Sequence, residues 1–185
     1  DIQLGYSAKA FENSASITSE YAAESTLCEW INTHPFWEKL RTVHGCYGAY
    51  MYCDSGDKTG VMTTYRDPSP KDSFPIFEEA LIATSEHDFS NDETDSSIIT
   101  LYSSFATPRT PQNHGNIMCN KLMYAQTKEQ VDKALELVLK LKPEDLKNAA
   151  KRLYEGSISE KMKNVGAIMC SKNTEICGNI IKMPL

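Results

Sequence analysis

No block of lysine or arginine occurs anywhere in the 185 residues, and 19 basic against 25 acidic side chains leave a net charge of −6. Such a surface repels a phosphate backbone, which argues against nucleic acid as a partner. No apolar run approaches the roughly 18 residues of a membrane span, so no spanning helix is expected. The metallopeptidase patterns H-x-x-E-H and H-E-x-x-H are missing, as is the G-x-S-x-G of serine hydrolases. Gly45-x-x-Gly48 is too short to be a phosphate loop. No motif makes the chain a self-sufficient enzyme, and no complete zinc site is expected within it.

The six cysteines (Cys28, Cys46, Cys53, Cys119, Cys170 and Cys177) contain no C-x-x-C and no disulfide framework, and no N-x-S/T acceptor accompanies them. A chain this long buries enough surface to fold without staples. Cys46 and Cys53 lie seven apart in an expected strand, hence on opposite faces. Free thiols in a reducing compartment are expected. The chain opens at Asp1 with no initiator methionine or leader, and reads as a processed chain or an excerpt of a longer one.

What is present is ordinary globular composition, 41% hydrophobic and 24% charged. Residues 2–11 alternate as a strand, with Ile2, Leu4, Tyr6 and Ala8 on one side. Ile17, Tyr21, Leu27, Cys28 and Ile31 then follow a helical period. Pro35 opens a continuation in which Phe36 pairs with Leu40, and Gly45 ends it. Residues 46–53 and 60–66 form a hairpin about the Asp54–Lys58 loop.

Helices follow. One carries Phe77, Ala80, Leu81 and Thr84; the next opens at the capping box Ser90-Asn91-Asp92-Glu93 and stops before Pro108. A third spans Pro111 to Tyr124. A fourth opens at Thr127-x-x-Gln130, and a fifth runs from Pro143 until Gly156 stops it. Residues 165–170 and 177–183 close the chain as strands. The expected fold is α+β, a single domain over 1–185 with a mainly antiparallel sheet and helices on one face.

Two local clusters draw attention. Leu40-Arg41-Thr42-Val43-His44-Gly45-Cys46-Tyr47-Gly48 joins a cation at a helix end to a phenol at a strand start through a small turn. Taken alone, Arg41 complements the helix terminus and Tyr47 is a strand residue. Thr63-Thr64-Tyr65-Arg66-Asp67-Pro68 reads by itself as a strand exit with a solvated ion pair. Glu86-His87-Asp88 likewise reads as a solvated triplet.

In order, the two clusters say more. Leu40-Arg41-x-x-x-Gly45-x-Tyr47-Gly48, a hairpin, then Gly60-Val61-x-x-x-Tyr65-Arg66-Asp67-Pro68 resembles the last of four homologous domains in the presequence-protease branch of the insulinase/pitrilysin zinc metallopeptidases. The resemblance extends over nearly the whole chain. It departs in its turn, where His44 and Cys46 replace a more glycine-rich run, and at Ser69, where Asn is common.

The resemblance implies an α+β domain in a clam-shell protease of two bowl-shaped halves. The zinc, with its H-x-x-E-H site, would belong to an absent N-terminal domain, leaving no metal or cofactor in this chain. The implied catalytic role is transition-state support, with Arg41 and Tyr47 directed at the substrate carbonyl. Gly48, Tyr65 and Arg66 are secondary candidates for substrate contact, Tyr65 and Arg66 chiefly marking the fold. The implied partners are the N-terminal half of the same protease and unstructured peptides. The implied location is intracellular, in a mitochondrion, plastid or digestive vacuole. The alternative is a non-catalytic structural or peptide-binding relative, although a scaffold has no need of a paired cation and phenol.

Overall fold

The computed structural model describes residues 4–170 except 55, 124 and 164. The strand expected at 177–183, and Ile2 of the first strand, lie outside the described residues. Four strands form one sheet in the order β2-β3-β1-β4, every pairing antiparallel: β1 (Tyr6–Glu12), β2 (Gly48–Tyr52), β3 (Thr59–Tyr65) and β4 (Gly166–Met169). The α+β expectation is met. The hairpin appears as expected but with shorter strands, so Cys46 and Cys53 both fall outside β2 and the opposite-face argument does not apply to them.

Strand β1 pairs Ala8 with Thr63 and Phe11 with Gly60 across to β3. Its buried side is Ser7, Lys9 and Phe11, not the apolar set containing Tyr6 and Ala8. The reason is tertiary. Ser7 bonds to the Thr64 hydroxyl at 2.7 Å, and the Lys9 ammonium pairs with Glu78. Polar groups satisfied in this way can occupy a core position.

Helices α1 (Ser19–Thr33), α2 (Ser73–Glu86) and α6 (Pro143–Ser157) pack on that side of the sheet. Their shared core with the strands contains Phe11, Leu27, Ile31, Phe36, Leu40, Met51, Met62, Phe77, Leu81, Leu146 and Leu153. Thr18 caps α1 by accepting the Tyr21 N–H at 3.1 Å, which leaves Ile17 before the helix with φ at 63° rather than on its face. Helices α3 (Asn91–Ala106) and α5 (Lys128–Val138) open with the two expected capping boxes, at Ser90/Glu93 and Thr127/Gln130. Helix α4 (Pro111–Met123) has no buried residue among those described.

Three further expectations are corrected. Residues Phe36–Val43 wind as a π-helix rather than an α-helical continuation. Pro35 has no N–H to extend the bonding ladder of α1, and the chain restarts with wider turns that still bury both Phe36 and Leu40. Gly156 does not stop α6 but lies inside it, where a Cβ would stand 2.4 Å from the Glu12 carbonyl oxygen. His87 is not freely solvated: it contacts the Trp30 and Phe89 rings and bonds to Glu93 at 2.9 Å. No helix among the described residues is long and apolar enough to cross a membrane.

Candidate functional site

The π-helical segment anchors its inner side through Phe36 and Leu40, both at 0% exposure, which turns Trp37 and Arg41 outward. The Arg41 guanidinium carbon stands 3.9 Å above the Trp37 ring, a close cation–π stack that preorganises a long side chain. The segment closes with the His44 N–H donating to the Lys39 carbonyl at 2.9 Å and the Cys46 N–H to the Leu40 carbonyl at 3.0 Å. Gly45, at φ +90°, supplies the left-handed conformation that reverses the chain into β2.

Tyr47 then enters the sheet, its N–H donating to the Tyr65 carbonyl at 3.1 Å. Its ring meets Tyr65 edge to face at 5.8 Å, and Tyr65 in turn meets Tyr6 at 5.5 Å. The Arg41 and Arg66 guanidinium carbons stand 5.8 and 5.6 Å from the centre of the Tyr47 ring, and Arg66 is 5.5 Å from that of Tyr65. Four of the five expected site residues (Arg41, Tyr47, Tyr65 and Arg66) therefore share one exposed patch, in which Tyr47 is 61% accessible. Gly48 differs. It is buried, and the Tyr50 phenol lies where its Cβ would be, 2.8 Å from the hydroxyl.

The patch rests on Asp67, which is fully buried. The expected Arg66–Asp67 ion pair is absent from the described salt bridges, since the left-handed backbone at Arg66, φ +50°, accompanies an exposed Arg66 beside a buried Asp67. One Asp67 oxygen accepts His44 Nε2 at 3.0 Å and the Ser69 N–H at 2.9 Å. The other accepts the Thr64 and Ser73 hydroxyls at 2.7 and 2.5 Å. Burial alone would push this carboxyl up. The bonds from Ser73, Thr64 and Ser69, with His44 beside it, outweigh burial and hold it below its ordinary value. Burial first, then the Asp67 charge and hydrogen bond, push the neighbouring Cys46 thiol up to about 12.

His44, Cys46 and Asp67 consequently bring one nitrogen, one sulfur and one oxygen within 4.8 Å of one another. This cluster was not foreseen from the sequence. His44-x-Cys46 was visible there, but nothing placed Asp67 against it.

Two further concavities stand apart. A mainly apolar one of about 190 Å³ is lined by Tyr21, Cys28, Glu29, Leu101 and Val138 among others, with the Cys28 and Cys53 sulfurs 3.7 Å apart. Burial raises the Glu29 carboxyl there. The other, polar, holds the buried Glu24 paired with Arg152 at 2.9 Å.

The family model of the PreP C-terminal domain matches residues 11–172. Among solved structures, the chain is similar to an inactive peptidase domain of a candidate zinc protease from Bordetella parapertussis, with TM-score 0.72 and 9% identity over 92% of this chain and 94% of that one. It is also similar to a protease from Helicobacter pylori, with TM-score 0.68 and 12% identity over 84% of this chain but 39% of that one. An inactive domain of an M16 peptidase from Pseudomonas fluorescens gives TM-score 0.60 at 12% identity, over 91% of this chain and 41% of that one. At these identities the likeness is one of fold. The chain thus spans well under half of two of these three relatives. No curated protein sequence matches it.

Proposed function

The chain belongs to the PreP C-terminal domain family, and from that premise we propose that it closes the substrate chamber of a zinc metalloendopeptidase acting on unstructured peptides. The observation that carries this reading is the exposed Tyr47 phenol, with the Arg41 and Arg66 guanidinium carbons 5.8 and 5.6 Å from the centre of its ring. The chain has no H-x-x-E-H, so its residues do not fit the family's catalytic zinc, which would supply an activated water from the N-terminal half.

What this chain contributes is positive potential and a hydrogen-bond donor where negative charge grows. As a peptide carbonyl becomes tetrahedral, its oxygen gains charge. A phenol O–H aimed at that oxygen binds the transition state more tightly than the ground state. Arg41, braced on Trp37, adds a guanidinium that requires little reorganisation as that charge develops. Because both groups come from a separate domain, closure of the two halves becomes a condition of catalysis. By itself the chain is inactive on this reading.

A second reading, a non-catalytic structural or peptide-binding relative, draws support from the two similar structures described as inactive domains. Tyr47→Phe in the complete protein separates the two. The substitution removes one hydroxyl and keeps the ring contacts. Loss of peptidase rate on the order of 100- to 1000-fold with unchanged melting temperature supports the catalytic role. An unchanged rate leaves the scaffold reading.

A further inference from the structure

We propose that His44, Cys46 and Asp67 form a binding site for a zinc-class divalent cation, which ties the turn before β2 to the end of β3. The site is built from residues of this chain only and stands independently of the protease reading.

An imidazole nitrogen, a thiol sulfur and a carboxylate oxygen lie within 4.8 Å of one another. Mixed nitrogen, sulfur and oxygen donors suit zinc, whereas calcium and magnesium call for oxygen alone. Donor atoms on one tetrahedral zinc stand about 3.5 Å apart, so the longest donor separation, at most 4.8 Å, needs to close by about 1.3 Å at most. His44 and Cys46 come from the same turn, with Gly45 at φ +90° between them, and Asp67 from the strand exit 23 residues after His44.

The site is largely buried and its carboxylate is already aimed. Cys46 is 2% exposed and Asp67 0%, while the His44 side chain, at 12%, gives access from solvent. The Ser69 N–H and the Thr64 and Ser73 hydroxyls fix both oxygens of Asp67, and Thr64 is itself bonded to Ser7. A cation between Asp67, His44 and Cys46 takes the place of the imidazole and thiol contacts to the carboxylate and leaves those three donors in place. Outer hydrogen bonds of this kind orient a metal ligand and raise its affinity.

A cysteine nucleophile is the competing use of the same residues, and the geometry opposes it. His44 turns Nε2 to Asp67 at 3.0 Å, so the imidazole is engaged by the carboxylate rather than by the thiol. A cation placed among the three donors offsets the charge of the buried Asp67 carboxylate. On binding, Cys46 loses its S–H proton to solvent, and His44 coordinates through the Nε2 that faces Asp67, with its N–H on Nδ1. Two positive charges then meet one thiolate and one carboxylate, so the filled site is neutral and one proton is released per ion.

The test uses the 185-residue chain with Zn²⁺ measured by equilibrium dialysis and elemental analysis, and with Co²⁺ as an optical probe. The expected result is one equivalent of metal, one proton released, and a thiolate-to-cobalt charge-transfer band. Cys46→Ser should abolish the band and weaken zinc at least about 10-fold, and His44→Gln, at the site's solvent side, should weaken it similarly. His114→Gln and Cys119→Ser should change neither. Absence of stoichiometric metal in the unaltered chain, or a band that survives Cys46→Ser, overturns the proposal. So does unchanged affinity in His44→Gln.

Discussion

The Tyr47 N–H donates to the Tyr65 carbonyl at 3.1 Å while the two rings meet edge to face at 68°. One residue pair thus fixes both the backbone register between β2 and β3 and the position of the phenol at the exposed patch. Tyr65 is the centre of this arrangement because it also meets Tyr6 of β1. Tyr65→Ala should cost about 1 kcal/mol for each aromatic pair it breaks, beyond the area the ring buried, whereas Tyr65→Phe should keep most of that stability. Urea unfolding of the chain reads both. Equal midpoints for Tyr65→Ala and the unaltered chain would show that the rings merely sit side by side.

The Lys9–Glu78 pair predicts an asymmetry. Lys9 is 3% exposed, whereas the Glu78 side chain is 43% exposed. Glu78→Ala leaves a buried ammonium without its counter-ion and should cost about 2 kcal/mol, a value lowered for Glu78's exposure. Lys9→Met removes the charge itself and should cost less than about 1 kcal/mol. Chemical denaturation of the two variants side by side decides it; the reverse order would contradict this account of the core.

Acid should act partly through Glu93. Its carboxylate accepts the Ser90 N–H at 2.9 Å, and that bond leads the causes that hold it down at about 2, with the Ser90 hydroxyl and His87 adding to it. A lowered folded-state value means the stabilisation is complete above the ordinary 4.5 and is lost as pH falls toward 2. Glu93→Gln should therefore lie about 1 kcal/mol below the unaltered chain near neutrality, with the gap closing between those two pH values. A gap constant across that window, followed by thermal unfolding at stepped pH, would refute the link.

Gly156→Ala tests how closely α6 approaches β1. In an open helix this change should stabilise by up to about 1 kcal/mol. Here the new methyl meets the Glu12 backbone, with its carbonyl oxygen at 2.4 Å, and destabilisation of about 1–3 kcal/mol is expected. The sign of the change in unfolding free energy is the readout.

Local chemistry was open to reading before any contact was known. Ser90/Glu93 and Thr127/Gln130 cap helices because a hydroxyl and a carboxyl or amide three residues on satisfy two free N–H groups, wherever the helix later packs. The hairpin about Asp54–Lys58 and the buried Phe36/Leu40 pair are likewise short-range facts. Arg41 and Tyr47 stood out only through the resemblance that their motif and the contiguous Tyr65-Arg66-Asp67-Pro68 carry in order; the spacing between them, taken alone, reads as a helix end and a strand start.

Only the tertiary structure decided which side of β1 is inside. Alternation gives two candidate faces, and Lys9 enters the core because Glu78, 69 residues away, meets its charge. It also decided that Asp67 turns from its neighbour Arg66 toward His44, Thr64 and Ser73, and that Gly156 serves a close helix–strand approach rather than a helix end. The physical reason is common to all three. The free energy of a buried charge, a hydrogen-bonded carboxylate or a missing methyl depends on what lies within a few ångströms in space, and sequence separation carries no record of that distance.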